Sequence, residues 1–192
     1  MSWIFGDKER TLIAGESNLV ADVFNLDHLP PLSKIRIRDG LALSNVPFTT
    51  LGPSRLKVLA AYPFTTSGEY LLMVGPELFA GDLSHQNPAT LVHEMTHVWQ
   101  YRQKTLTEFR GLATHAFYYF RGKLGGKSQT SLYSYDLGQS WNEMSFEGQA
   151  QLVEDWYSID AMSERCERWY YVKNVLLKNE TRCRSCRLED LR

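Results

Sequence analysis

Polar and β-branched residues alternate with period two from Ser33 to Arg38, and the run stops at Asp39-Gly40, a turn signal. Two short apolar runs, 56–62 and 70–74, are bounded by Gly and Pro and predict two further strands joined by a hairpin loop at 65–68. From Asn87 the period lengthens. Asn87 can accept a backbone N–H as N-cap and Pro88 suits the first helical position. A helix is therefore predicted through Gln103, with Leu91, Met95 and Val98 on one buried stripe. Further helices are predicted over 108–120, ended by Gly122 and Gly125-Gly126, over 146–158, and over 163–177. The Ser-, Tyr- and Gly-rich segment 127–142 reads as a long surface loop. Together these elements predict a single α+β domain. A small, mostly antiparallel sheet in 1–85 packs on a helical part, 86–180, and a basic tail follows at 181–192.

Composition narrows the function. A chain of 192 residues, 43% hydrophobic and 22% charged, can fill one core, and this composition argues against disorder. Its net charge of −1 argues against a nucleic-acid binder, whose affinity comes from phosphate contacts. No apolar run approaches membrane-spanning length, and charges at Asp7, Lys8, Glu9 and Arg10 break the stretch a signal peptide would need. The expected location is the cytoplasm of the producing cell, with any export independent of a signal peptide. Cys166, Cys183 and Cys186 are too few for a disulfide scaffold, and the Cys183/Cys186 pair lacks the further ligands of a zinc knuckle. The segment 122–128 falls short of a phosphate-binding loop because Arg121 stands where Gly is required.

Charge is uneven along the helical half. Residues 101–127 carry six bases and one acid, whereas 140–160 carry five acids and no base. The acids lie where a cation would need ligands, because His93-Glu94-Met95-Thr96-His97 reads HExxH inside the best-supported helix. Histidines at i and i+4 share a helical face, so both imidazoles can reach one ion. Glu94 is turned about 100° from His93 and can serve as general base toward a water on that ion. A catalytic zinc wants a third protein ligand. Gln100 and Gln103 exclude the pattern with Gly and a third His downstream, leaving a carboxylate from a later helix. Glu147, at the start of the 146–158 helix, is the first choice, with Glu143 and Glu154 as competitors. Gly148 and Ala150 would let two helices approach closely. Gln151 and Asp155 are candidates to orient a ligand histidine. Tyr157, Tyr135 and His115 are candidates to stabilise an oxyanion. His28 and His85 have no ligand spacing.

HExxH followed about fifty residues later by a helical Glu is similar to the gluzincin class of zinc peptidases. More closely, residues 91–100 resemble the HE(L/M)THVWQ helix of metallopeptidases found with bacterial Rhs and VgrG proteins of type VI secretion. Tyr135-Asp136-Leu137, Phe146-Glu147, Gln149-Ala150 and Val153-Glu154-Asp155 resemble the later block of the same group. The likeness spans roughly 57–157, with Gly148 standing where Gln is expected. A glycine there weakens the helix start by under about 1 kcal/mol. The resemblance implies a zincin-like domain, a Zn²⁺ cofactor, a protein or peptide substrate, and Rhs or VgrG proteins as associates. Three rivals stand beside a peptidase: an inactive zincin-fold adaptor or chaperone for a secreted toxin, a zinc hydrolase of a cell-wall amide, and a motif that binds no metal.

Overall fold

The computed structural model describes residues 8–41, 47–52, 69–103 and 133–173. In chain order these form β1 (Glu9–Thr11), α1 (Ala14–Val23), β2 (Ile35–Arg38), β3 (Phe48–Gly52), β4 (Glu69–Met73), α2 (Gly75–Phe79), α3 (Leu83–Gln86), α4 (Pro88–Arg102), α5 (Phe146–Ser158) and α6 (Glu167–Val172). The strand at 33–38 is found as β2, shortened at its start, and the strand at 70–74 is found as β4, shifted by one residue toward the N-terminus. The runs 56–62 and 65–68 and the helix over 108–120 lie outside the described residues.

The class is α+β, and the sheet is mixed. Its order is β1-β2-β4-β3. β1 pairs with β2 and β3 with β4 antiparallel, but the two central strands run parallel, from Ile35 opposite Tyr70 to Arg38 opposite Met73. Two of the three pairings are antiparallel, as a mostly antiparallel sheet requires, and the parallel central pair makes the sheet mixed. Parallel strands are typically covered on both faces and read as continuous apolar runs. β4 does so, burying Leu71, Leu72 and Met73 in succession.

One apolar core joins both halves of the chain, from Val20, Ile35, Ile37 and Leu72 to Met95, Leu152, Val153 and Val172. At its centre lies α4, capped as the sequence predicts: Asn87 Oδ1 accepts from the Thr90 N–H and Pro88 opens the first turn. The predicted single stripe understates its burial, for every residue from Leu91 to Tyr101 is buried. The cause is enclosure. α4 packs along α5 and also against β3, α1 and α3, so its polar residues go into the interior with its apolar ones. Buried polar groups are costly unless partnered, which makes the partners of His93, Glu94 and His97 the informative quantity.

A second buried polar cluster fixes the sheet edge to the helices. Glu16 is fully buried and takes both terminal nitrogens of Arg10 at 2.7 Å, together with the backbone N–H groups of Ile13 and Leu83 at 3.0 Å. Arg10 also donates to the carbonyls of Phe79 and Gly81. β1, α1 and the α2–α3 turn are thereby tied through one ion pair. The helix predicted over 163–177 is shorter at its start. Ala161 and Met162 take positive φ values of 47° and 59°, and the Met162 N–H returns to the Trp156 carbonyl, closing the end of α5 before α6 begins. No helix among the described residues is long and apolar enough to cross a membrane.

Candidate metal centre

His93 and His97 project from adjacent turns of α4 toward α5, whose first turn supplies Glu147. α5 is capped by Ser145, whose Oγ accepts from the Gly148 N–H at 2.9 Å, and this fixes the helix start that aims Glu147. The Nε2 atoms of both histidines stand 3.3 Å from the same oxygen, Glu147 Oε2. All three residues are buried. Among the described residues, His93, His97 and Glu147 are the one group of three or more such side chains whose ligand atoms converge.

Hydrogen bonding on the far side of each ring decides what these atoms are. His93 Nδ1 lies 2.8 Å from Glu154 Oε2, and a carboxylate only accepts, so Nδ1 carries a proton. His97 Nδ1 lies 2.7 Å from Gln100 Oε1. The amide orientation is fixed by its other end, because Gln100 Nε2 donates to the Phe146 carbonyl at 3.0 Å and to Gln149 Oε1 at 2.8 Å. Gln149 Nε2 in turn donates to the Trp141 carbonyl at 2.8 Å. That chain ends on an obligatory acceptor, so its polarity can run only one way, and His97 Nδ1 is also the donor. In the neutral tautomers both Nε2 atoms therefore present lone pairs, facing a carboxylate oxygen.

Three acceptors converging in a buried space require something positive between them. Two species meet the need. Protons are one: burial alone lowers the His93 pKa, but the hydrogen bonds to Glu147 and Glu154 and the nearby charge of Glu94 overcome it and push it up to about 10. His97 is likewise raised, with burial opposing and Glu147 prevailing. A divalent ion is the other. Ligands at 2.0–2.1 Å in a tetrahedron stand about 3.3–3.4 Å apart, and the Glu147 oxygen stands at that spacing from each nitrogen. Two imidazoles and one carboxylate are a donor set that could hold a divalent ion, with three ligands supplied among the described residues.

Glu94 does not join the three. It is buried, and Thr49 Oγ1 of β3 donates to its Oε2 at 2.7 Å. Oε1 makes no hydrogen bond among the described residues and is the oxygen free to take a proton. Tyr133 lies beside His93, its ring centroid 5.8 Å from that of the imidazole. Burial and the charges of Glu147, Glu94 and Glu154 hold its phenol well above the usual range.

The structure places the other candidates elsewhere. Glu143 accepts from the N–H and Oγ of Ser140 in a turn before α5. Glu154, the other competitor of Glu147, buttresses His93 through Nδ1 instead. Gln151 and Asp155 do not orient a ligand histidine: Gln151 Nε2 donates to Asp155 Oδ1 at 2.9 Å, and Asp155 accepts from Tyr135. Helical geometry explains the correction. With 3.6 residues per turn, position 154 lies about 20° from 147 around the axis and position 155 about 80° away. Tyr135 is committed to Asp155 and Arg168, and Tyr157 packs against the core. His28 is buried, His85 is exposed, and neither belongs to the cluster. His115, Cys183 and Cys186 lie outside the described residues.

Thr49, Gln100, Gln149 and Tyr133 were missed as contributors. Gln100 had a signal, being three residues after His97 on one helix and hence its neighbour. Thr49 and Tyr133 had none, since long-range packing alone brings them in. No family model, curated protein or solved structure matches this chain.

Proposed function

We propose that the protein is a zinc-dependent hydrolase of peptide bonds. The observation that carries this reading is the convergence of two imidazole lone pairs and one carboxylate oxygen in a buried space, beside a carboxylate that has no part in the convergence. A structural zinc is normally closed by four protein ligands, whereas three ligands with an adjacent base suit catalysis.

His93, His97 and Glu147 would hold the ion. Bound there, zinc lowers the pKa of a coordinated water toward 7 and polarises the scissile carbonyl. Glu94 takes the water's proton at Oε1 and returns it to the leaving amine. Thr49 holds the Glu94 carboxylate in place, so the base is oriented before substrate arrives. Glu154 and Gln100 keep both rings in the tautomer that ligation needs. The resemblance in the two motif blocks supports a type VI secretion setting, with Rhs or VgrG proteins as associates and the producing cell's cytoplasm as the site before export.

The test is zinc analysis and hydrolysis of a peptide library by the purified chain and by Glu94→Gln. The variant should keep its metal and lose activity by about 10²–10⁴-fold, the range for general-base catalysis. An unchanged rate removes Glu94 from the chemistry. A metal-loaded chain that cleaves peptidoglycan and no peptide moves the assignment to a cell-wall amide, and one that cleaves neither moves it to an adaptor.

A further inference from the structure

Tyr133 lies beside the site with no part in holding the ion. Its ring is tilted 50° against His93, and its hydroxyl makes no hydrogen bond among the described residues. A half-buried tyrosine ordinarily finds a partner. Among the described residues, most other donors at the centre are spent. Thr49 is on Glu94, the two Nδ1 protons are on Glu154 and Gln100, and the Gln100 and Gln149 amides are on each other and on carbonyls.

The segment carrying Tyr133 is pinned from both flanking helices. Tyr135 donates to Asp155 on α5 and accepts from Arg168 Nε on α6 at 2.6 Å, while Arg168 is anchored on Asp160 at 2.9 Å. Tyr171 of α6 donates to the Leu137 and Gln139 carbonyls. The Ser134 carbonyl also sits so close to α5 that a Cβ at Gly148 would stand 3.0 Å from it. Glycine at 148 thus admits the loop to the helix, and Tyr133 immediately precedes the residue that makes this contact.

We propose that Tyr133 is a catalytic residue whose hydroxyl donates to the substrate's carbonyl oxygen as that oxygen gains negative charge. This rests on the hydrolase reading above. The charge would develop close to Glu94, Glu147 and Glu154, all of which repel it, and a neutral phenol is a fixed donor that offsets them. No proton changes hands at Tyr133. The hydrogen bond tightens as the carbon–oxygen double bond opens, and relaxes when the C–N bond breaks and Glu94 delivers its proton to nitrogen.

The test compares the full chain with Tyr133→Phe in two ways. On a cleavable peptide, kcat should fall by about 10²–10³-fold, with KM changed less than about threefold and metal content unchanged. On the cobalt-loaded chain, binding of acetohydroxamate, followed by the visible spectrum, should weaken about tenfold or more, because a donor to its carbonyl oxygen is gone. Unchanged hydroxamate affinity at full metal occupancy overturns the assignment, as does an unchanged kcat. If the native chain cleaves no peptide but the variant still loses hydroxamate affinity, the peptidase reading fails and the role of Tyr133 as donor stands.

Discussion

Glu154 offers a graded perturbation of the centre without touching a ligand. Its carboxylate holds His93 Nδ1–H at 2.8 Å and its side chain is 25% exposed. A hydrogen bond to a charged group is worth about 1.5–3 kcal/mol and a neutral one about 0.5–1.5; solvent access places this bond toward the lower end. Glu154→Gln keeps an acceptor and loses the charge, so zinc affinity should fall about tenfold, for a difference near 1.4 kcal/mol. Glu154→Ala removes the acceptor, leaves His93 free to adopt the tautomer that blocks the metal, and should cost about a hundredfold. Glu154 also favours the competing proton on His93, but a dication gains more from the same carboxylate, so the sign of the effect holds. Competition with a chelator of known zinc affinity measures both values. Affinities within twofold of the native chain in both variants, or a Gln variant as weak as the Ala variant, would refute the reasoning.

Two further outcomes follow from the buried charges. With metal removed by chelator, His93 has a folded-state pKa of about 10 against an ordinary 6.5. Its contribution to stability is therefore complete below about pH 6.5 and is lost as pH rises through about 10. Urea midpoints of the metal-free chain should fall across that window, and a flat profile from pH 6.5 to 10 contradicts the pairing of His93 with Glu147 and Glu154. Glu16→Ala leaves Arg10 and two backbone N–H groups without their acceptor. Breaking a buried pair costs about 3–5 kcal/mol, which for a chain of this length lowers Tm by roughly 6–20 °C. A thermal shift below about 2 °C would show that the cluster does not tie β1 to α1 and α3.

The two long helices were legible because each carries its own signals. Asn87-Pro88 starts α4, the i, i+4 histidines share a face, and α5 runs over the predicted 146–158. β1, β3 and α1 to α3 were not recognised. Most are too short to show a period, and α1 buries a charged Glu16 where a core-facing pattern calls for an apolar residue. The parallel pairing of the two central strands was equally hidden, since it depends on connections between segments rather than on any one of them. At the site, Glu147 could be chosen by class and helix position, and it lies where that choice put it. The partners could not be chosen so easily. Asp155, at i+8, lies only roughly on the face of Glu147, whereas Glu154, at i+7, matches the helical angle. Gly148 looked like a departure from a pattern and a small loss to the helix, yet the Ser134 carbonyl packs against it.

The central claim is met most directly by elemental analysis of the purified chain beside Glu147→Ala, after dialysis against a weak chelator. Stoichiometric zinc in the native chain and less than about a tenth of it in the folded variant is the expected result, given the loss of one of three ligands. A native chain that folds, remains soluble and takes up no divalent metal would contradict the account, and so would a variant that binds zinc as tightly as the parent.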